Sequence, residues 1–224
     1  MSGKKLIVLV EGNIASGKTT FLKKLESKFK DSALITFEPL DQWTNFKGKN
    51  MLKELYTDPK RFSFQFQTFV QLTMAKIQTT QTTKPFKFSE RSLYSERFVF
   101  IEALKILQHI SQTEYDILIE WFDYLVQKVP PVDQIIYLRT TPEIAYQRLI
   151  KRSRNEENSV QLDYIELIHS LHEQWLIEGK DFFTKNVKVP VLKVVDQDKN
   201  LDELESEFEQ MAETFMFDYE NKEK

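Results

Sequence analysis

Short, largely apolar runs alternate along this chain with longer amphipathic stretches. The runs occupy residues 6–10, 33–37, 86–89, 134–138 and 191–195. Runs of this kind are typical of strands buried on both faces of a parallel sheet, and helices between them would form right-handed crossovers. The pattern therefore predicts an α/β fold in which a five-stranded parallel sheet is flanked by helices.

The longer stretches have a helical period. They occupy residues 18–29, 43–58, 60–81 and 203–224. The polar residues 78–84 predict an exposed connection before Pro85. Residues 152–159 are highly charged and carry no apolar side chain, so they predict a mobile loop between two helices. Since neither a repeat nor a change in composition divides the chain, we expect one domain over residues 1–224.

The composition excludes several classes of protein. With 31 basic and 34 acidic residues the net charge is −3, which argues against general affinity for nucleic acid. No apolar run reaches the roughly 18 residues that a membrane span needs, so we expect no membrane contact. The absence of cysteine excludes disulfides, thiolate zinc sites and cysteine nucleophiles, and it fits a reducing compartment. The first strand begins too close to Met1 for a signal peptide, so we expect a cytoplasmic protein.

The strongest motif is a phosphate-binding loop. Residues 12–19 read GNIASGKT and match G-x-x-x-x-G-K-[ST] between a predicted strand and a predicted helix. Backbone N–H groups and the helix N-terminus would attract phosphate oxygens. We expect Lys18 to reach the β- and γ-phosphates and Thr19 to bind Mg²⁺ with ATP. The candidate phosphate-binding residues are Gly12, Asn13, Ile14, Ala15, Ser16, Gly17, Lys18, Thr19 and Thr20.

Two further strands end in charged side chains. Glu38 follows the second predicted strand, and Glu90 and Arg91 close the third. Because the carboxyl ends of parallel strands face the ligand crevice, these side chains could hold Mg²⁺ and a phosphoryl group. The alternative is an ordinary turn residue and a surface ion pair.

At this point the chain resembles the deoxyribonucleoside kinase family over about residues 7–175. The matching stretches are EGNIASGKTTF, EPLDQW, YTDPKRFSFQFQTF, ERSLYSERFVF, IIYLRTTPE and RSRNEEN…LDYIELIHSLHEQWL. The resemblance implies a P-loop kinase fold, usually as a helix-packed homodimer. It also implies ATP-dependent phosphorylation of the 5′-hydroxyl of deoxyribonucleosides to 5′-monophosphates, a step of nucleotide salvage.

The resemblance assigns roles to the strand ends and the sugar site. Glu38 resembles the base that accepts the 5′-hydroxyl proton, and Arg91 resembles the partner that holds it. Together with Lys18 they would be the catalytic residues. Glu90 resembles a carboxylate associated with Mg²⁺. Tyr56 and Glu157 resemble the pair that binds the sugar 3′-hydroxyl.

The base site is partly indicated by helical spacing. Gln67, Val70, Gln71 and Met74 share one stripe of the predicted helix, and the Gln67 amide could recognise the Watson–Crick edge of a base. By resemblance, Trp43, Phe66 and Phe100 would lie near the base. Without the resemblance, core packing is the simpler interpretation of these aromatic residues.

The lid and the adenine site are also assigned by resemblance. Arg148, Arg152 and Arg154 would belong to a lid, with its loop at about residues 152–160, and would spread charge on the transferred phosphoryl group. The alternative is a solvated basic helix end. Asp196, Gln197 and Asp198 would contact adenine. His169 and His172, three residues apart, are interpreted as helix-surface residues.

The residues expected near the nucleobase give mixed indications of base preference. Relatives that prefer cytosine or purines tend to carry an arginine where Met74 stands and an aspartate where Glu96 stands. This chain has an apolar residue at the first position and a carboxylate at the second. A buried carboxylate must find a partner, turn outward or become protonated. We expect a preference for pyrimidines, with thymidine prominent, and purines stay open.

Two other functions compete. A nucleoside monophosphate kinase of the thymidylate type shares the P-loop and lid, but the acidic Glu38 at the acceptor site argues against a phosphorylated acceptor. A non-catalytic kinase-like accessory subunit could lose Lys18, Glu38 or Arg91, and this chain keeps all three.

Overall fold

All five predicted strands form one parallel sheet in the computed structural model, which describes residues 5–179, 191–199 and 201–222. The strands are β1 (Leu6–Gly12), β2 (Ala33–Thr36), β3 (Phe86–Glu90), β4 (Gln134–Arg139) and β5 (Val191–Asp196). Their order is β2-β3-β1-β4-β5, and every neighbouring pair is parallel. The predicted fold class is confirmed.

Helices cover both faces of this sheet. They are α1 (Lys18–Phe29), α2 (Leu40–Thr44), α3 (Met51–Thr57), α4 (Pro59–Thr79), α5 (Leu93–Ser95), α6 (Ile101–Ile106), α7 (Gln112–Val126), α8 (Pro142–Arg152), α9 (Leu162–His172) and α10 (Leu201–Lys222). Short 3₁₀ turns occupy Lys30–Ser32 and Asn155–Glu157, and π-helical turns occupy Glu96–Phe100 and Glu173–Ile177. The predicted C-terminal helix reached to 224, but its last two residues lie outside the described ones. No helix among the described residues combines the length and the apolar character needed to cross a membrane.

The helix predicted over residues 43–58 is instead two helices. Between α2 and α3 the backbone adopts positive φ at Lys47 (51°) and Gly48 (83°). The Asn45 side chain accepts a hydrogen bond from the Gly48 N–H at 3.1 Å, and Asn50 accepts one from Lys53 N at 2.9 Å. These turn and capping contacts compete with a continuous helix, which periodicity alone could not show.

Alternate residues of the central strands face two different cores. Val8 and Val10 of β1 pack with Phe21 of α1 and with Phe208 of α10. Leu9 points to the other face, where it joins the core formed with α4 and α9. Both faces of the central strand β1 are therefore buried. The edge strand β5, in contrast, is largely exposed, so the expectation of a strand buried on both faces is wrong there. Ligands can reach the sheet at the carboxyl ends of its strands.

His172 is a second departure from the sequence interpretation. It is fully buried, its Nδ1 lies 2.7 Å from the carbonyl oxygen of Ile168, and its ring stacks on Tyr137 at 5.8 Å. The residue lies inside because β4 covers that face of α9, a contact that the spacing of two histidines cannot reveal. Burial lowers the pKa of His172 well below its usual value, so it is neutral.

Lys87 of β3 caps the carboxyl end of α4 from within the protein. Its Nζ donates to the carbonyl oxygens of Ile77, Gln78 and Thr80 at 3.1, 2.6 and 2.9 Å. These carbonyls lie at the end of a helix, where the last turn leaves carbonyl oxygens without the usual helical partners, although Ile77 also accepts a hydrogen bond from the Thr80 N–H at 3.2 Å. The lysine thereby joins the helix that carries much of the cleft to the strand that ends in Glu90.

We predict that Lys87→Met lowers the free energy of unfolding by about 2–4 kcal/mol, because buried carbonyls lose a charged donor. Chemical denaturation measures this change. The matched control is Lys76→Met, an exposed lysine of the same helix, which should change stability by less than about 0.5 kcal/mol. Equal effects of the two substitutions would contradict the capping role.

Candidate active site

The phosphate-binding loop joins the end of β1 to the start of α1. Gly12 has φ +148°, and a Cβ there would lie 2.6 Å from both the Leu138 carbonyl oxygen and Ser16 Oγ. Gly17 has φ +93° at the N-terminus of α1. Both positions require glycine. At Gly12 a side chain would collide with the backbone, and at Gly17 it would strain the backbone conformation.

Lys18 lies beneath this loop. Its Nζ donates to the carbonyl oxygens of Gly12 at 3.2 Å and of Asn13 at 2.7 Å. The Asn13 side chain in turn donates to the Ile165 carbonyl oxygen at 2.9 Å, which ties the loop to α9. Burial lowers the pKa of Lys18 to about 7. An anion in the loop would restore the charged form of this lysine.

The ends of β2 and β3 meet in a buried ion pair. Arg91 Nε lies 2.6 Å from Glu38 Oε1. Arg91 also donates from Nη1 to the Gly12 carbonyl oxygen at 2.9 Å, and its guanidinium lies 4.6 Å from the centre of the Phe100 ring. The backbone of Arg91 has φ +60°, an unusual value for a residue with a side chain. Several contacts together hold this conformation.

Glu90 and Thr19 face each other beside that pair. Thr19 Oγ1 donates to Glu90 Oε1 at 2.7 Å. Burial, together with the negative charge of Glu38, raises the pKa of Glu90. The hydroxyl and carboxylate oxygens are both ligands that Mg²⁺ accepts.

Glu11 is a functional candidate that sequence reasoning missed. It is fully buried at the end of β1, and Ser92 Oγ donates to its Oε1 at 2.5 Å. The same hydroxyl accepts hydrogen bonds from the N–H groups of Tyr94 and Ser95 at the start of α5. Burial raises the pKa of Glu11 to about 7. A carboxylate inside an apolar strand could have indicated this position.

A cleft of about 480 Å³ joins the phosphate loop, Glu38, Glu90 and Arg91 to helices α3 and α4, and Glu11 is not part of its lining. Many of the predicted site residues line it: Ile14, Ala15, Ser16, Gly17, Lys18, Thr19, Thr20, Glu38, Trp43, Tyr56, Phe66, Gln67, Val70, Glu90, Arg91, Glu96, Phe100, Arg148, Arg152, Arg154, Glu157 and Gln197. The lining also contains residues that the sequence did not indicate, among them Leu52, Leu55 and Tyr164. Of the predicted residues, Gly12, Asn13, Met74, Asp196 and Asp198 are not part of the lining.

The predicted stripe on α4 reaches the cleft only in part. Gln67 and Val70 line it, and Gln67 Oε1 is buried without a hydrogen-bond partner among the described residues. Gln71 turns away and donates to the Leu118 carbonyl oxygen at 3.0 Å. Met74 is fully buried in the core, because the cleft ends at the turn of α4 that carries Val70.

The Glu96 side chain is buried and does not form a salt bridge with Arg91. Its exposed fraction is 3%, and it lines the cleft from the π-helical turn after α5. Among the described residues Arg91 forms its salt bridge with Glu38 and not with Glu96, although the positive charge of Arg91 favours the ionised form of Glu96. Burial raises the pKa of Glu96 to about 8, so near neutral pH the group is mostly protonated.

The loop predicted over residues 152–159 contains a 3₁₀ turn that packs against α3. Glu157 is buried and accepts from Arg152 Nη2 at 2.5 Å and from Arg154 Nη1 at 3.3 Å. Next to it, the Asn50 side chain donates to Glu156 Oε1 at 2.8 Å. The charged composition suggested solvent, but here opposite charges within the segment neutralise one another.

The turn after β5 supports the lid from below. Gln197 is buried, and its carbonyl oxygen accepts from Arg148 Nη2 at 2.8 Å. Both carboxylate oxygens of Asp198 lie 3.2 Å from the Thr141 N–H at the start of α8. In this structure Asp198 therefore caps a helix.

Known proteins are similar in sequence to this chain over most of its length. The family model described as deoxynucleoside kinase matches residues 8–216. Human "Thymidine kinase 2, mitochondrial" is 42% identical over 208 residues, which are 92% of this chain and 76% of the relative. "Deoxyguanosine kinase, mitochondrial" of Xenopus laevis is 37% identical, covering 85% of this chain and 82% of the relative. Human "Deoxycytidine kinase" is 33% identical, covering 92% and 89%.

Proposed function

Since this chain belongs to the deoxynucleoside kinase family and phosphorylates deoxynucleosides with ATP, we propose that its preferred acceptor is the 5′-hydroxyl of pyrimidine deoxynucleosides, thymidine in particular. The proposal of phosphoryl transfer to a hydroxyl group is supported mainly by the Glu38–Arg91 pair. Its Oε1 and Nε atoms are 2.6 Å apart, and it lies in the same cleft as the phosphate loop. The family match favours neither a monophosphate kinase nor a non-catalytic subunit.

Glu38 is proposed to take the proton of the attacking hydroxyl. An alcohol that attacks phosphorus loses its proton, and a carboxylate within hydrogen-bond reach can accept it. Arg91 keeps Glu38 oriented, and its remaining N–H groups can offset negative charge on the entering oxygen. Lys18 and the lid arginines are proposed to stabilise charge on the transferred phosphoryl group.

Thr19 and Glu90 are proposed to hold Mg²⁺ with ATP. Their oxygens are 2.7 Å apart at the mouth of the phosphate loop, and a hydroxyl with a carboxylate is a donor set that fits this ion. The ion, when bound, would neutralise phosphate charge. Burial raises the pKa of Glu90, and a bound cation would stabilise its ionised form.

Tyr56 and Glu157 are proposed to bind the sugar 3′-hydroxyl, and Gln67 the base. Glu157 is buried and lines the cleft with Tyr56, while the unpartnered Gln67 Oε1 is an acceptor that awaits a donor such as the N3–H of thymine. Trp43 lies edge-on to Phe66 with 5.7 Å between ring centres, which gives the base an apolar wall. Asp196, Gln197 and Asp198 remain candidates for adenine.

A second copy of this chain is proposed to cover the exposed face of α7. Ile117, Trp121 and Tyr124 lie on one face of this helix and are 40%, 47% and 55% exposed. Leu72 of the adjacent α4 is 47% exposed. An apolar patch of this kind usually marks an interface, and the resemblance implies a helix-packed homodimer. Neither nucleic acid nor membrane is proposed as a partner.

The compartment and the domain count also remain proposals. We propose a cytoplasmic protein, supported by the lack of cysteine, although two of the relatives carry "mitochondrial" in their names. Microscopy of the full chain with a tag at either end distinguishes the two compartments.

A single domain over residues 1–224 is supported by the one sheet that both halves of the chain build.

The base preference is tested by steady-state assays with ATP and each of the four deoxynucleosides singly. We expect kcat/KM to be highest for thymidine, then deoxycytidine, with both purines at least about tenfold lower, because the cleft ends at Val70 and Gln67 and does not reach Met74. Equal or higher values for a purine would contradict the pyrimidine preference while leaving kinase activity intact.

Glu38→Gln should lower kcat by about 10²–10⁴-fold with a smaller change in KM, because the amide keeps the shape but accepts no proton. Steady-state kinetics with the preferred nucleoside measures it. The matched control is Glu26→Gln on the exposed face of α1, which should keep kcat within about twofold. A kcat that survives Glu38→Gln would assign the base elsewhere.

The dimer is tested by Trp121→Glu, which places a charge at the centre of the exposed face of α7. Analytical ultracentrifugation should show a dimer for the unaltered chain and a monomer for this variant, since a buried unpaired charge is costly. Ile150→Glu is the control, because Ile150 is 57% exposed on α8, away from the patch. A monomeric unaltered chain, or a dimer that tolerates Trp121→Glu, rejects this interface.

A further inference from the structure

Glu11 is a buried carboxyl group that lies outside the lining of the cleft and has no part in the proposed reaction so far. It is the next-to-last residue of β1, directly before the first glycine of the phosphate loop. Its exposed fraction is 0%, and Ser92 Oγ donates to its Oε1 at 2.5 Å. Burial of a carboxyl group costs free energy, so its presence here indicates a contact that an apolar side chain could not make.

This contact lies where the backbone pairing of β1 with β3 ends. The register between the two strands ends at Val10, whose carbonyl oxygen also accepts from the Arg91 N–H at 3.0 Å. One residue farther along, side chains replace the backbone ladder. Arg91 Nη1 donates to the Gly12 carbonyl oxygen at 2.9 Å, and Ser92 donates to Glu11. Two side-chain hydrogen bonds therefore join the start of the phosphate loop to the segment that carries Arg91.

The Ser92 hydroxyl group is bonded on every side. Its oxygen accepts from the Tyr94 N–H at 3.1 Å and from the Ser95 N–H at 3.3 Å, at the start of α5. Its single proton is directed to Glu11. Without an acceptor at that place the hydroxyl group would lose its fixed orientation, and the cap of α5 would weaken. Glu11 thus holds Ser92, the residue that follows Arg91 in the chain.

Arg91 depends on its neighbours because its backbone has φ +60°. This conformation costs of order 1–3 kcal/mol for a residue with a side chain and persists only where surrounding contacts impose it. Ser92 has an extended backbone, with φ −157° and ψ 171°, and its capping box with Ser95 fixes it there. If Ser92 relaxed, Arg91 could return to an ordinary φ, and the guanidinium that orients Glu38 would move.

Resting on the function proposed above, we propose that Glu11 is a positioning residue that acts through Ser92 on Arg91 and sets the distance between the phosphate loop and the hydroxyl group that receives the phosphoryl group. A displacement of about 1 Å can cost roughly 10²-fold in rate. The contact needs only an oxygen that accepts, which a carboxylate, a neutral acid and an amide all supply. The site therefore requires the acceptor oxygen of Glu11 rather than its charge.

The first test is Glu11→Met, which keeps the length of the side chain and removes the acceptor. With ATP and thymidine, kcat should fall about 10–100-fold, whereas the dissociation constants of both ligands, measured by calorimetry, should stay within about threefold. Glu11→Gln should retain at least about a third of the unaltered kcat, since its amide oxygen accepts from Ser92. A Gln variant as slow as the Met variant would contradict the role of the acceptor oxygen.

Ser92→Ala removes the donor of the same contact and provides the test if Glu11→Met does not fold. It should lower kcat by a similar factor, and the double variant should be at most about twofold slower than the slower single variant, because one contact is lost in each case. The matched control is Ser63→Ala, a fully buried serine of α4 outside the cleft lining, which should keep kcat within about twofold. Effects of Glu11→Met and Ser92→Ala that multiply would show that the two residues act independently, and would overturn the inference.

Hydrolysis of ATP separates positioning from general damage to the fold. In that reaction the oxygen of water bonds to the γ-phosphorus, the bond to the β-phosphate oxygen breaks, and the water releases a proton to solvent. It uses the phosphate loop but not the nucleoside. A shifted acceptor should slow transfer to thymidine while hydrolysis continues, so the share of ATP cleaved by water should rise at least about fivefold in Glu11→Met.

The outcomes distinguish this inference from the function on which it rests. If the unaltered chain is active and the folded Glu11→Met variant keeps its kcat, or loses transfer and hydrolysis in parallel, this inference alone is overturned. An unaltered chain that phosphorylates no deoxynucleoside overturns the proposed function, and this inference with it.

Discussion

The buried guanidinium of Arg91 is the contact on which the arrangement of the site depends. Its backbone N–H donates to the Val10 carbonyl oxygen at 3.0 Å, and its side chain reaches Gly12, Glu38 and Phe100. One residue thus joins the ends of three strands to the helix that follows β3. A lysine could not make these contacts together, because it lacks a planar group with several fixed donors. The positive φ of Arg91 persists because so many contacts hold it.

Around this guanidinium the protein buries more acids than bases. The acids are Glu11, Glu38, Glu90 and Glu96, and the bases are Lys18 and Arg91. Of these acids Glu38 forms the ion pair with Arg91, and burial raises the pKa of the other three. With pKa values of about 7 for Glu11 and about 8 for Glu96, the charge of the site changes near neutral pH. Ligand charge and protons are therefore coupled there.

Opposite charges also pair within the lid. Glu157 accepts hydrogen bonds from Arg152 and Arg154, and all three side chains line the cleft. In the proposed function Glu157 also binds the sugar, which means that a nucleoside would compete with these arginines for one carboxylate.

The chain's sequence by itself determined the sheet, the phosphate loop and the charged ends of β2 and β3. These features follow from local patterns: apolar runs, glycines at a tight turn, and charges directly after a strand. The tertiary structure decided the rest. His172 is buried because β4 covers it, Met74 packs in the core because the cleft ends at Val70, and Arg91 forms its ion pair with Glu38 and not with Glu96. Each of these outcomes depends on residues far away in the sequence, and no local pattern records what a side chain will meet across the fold.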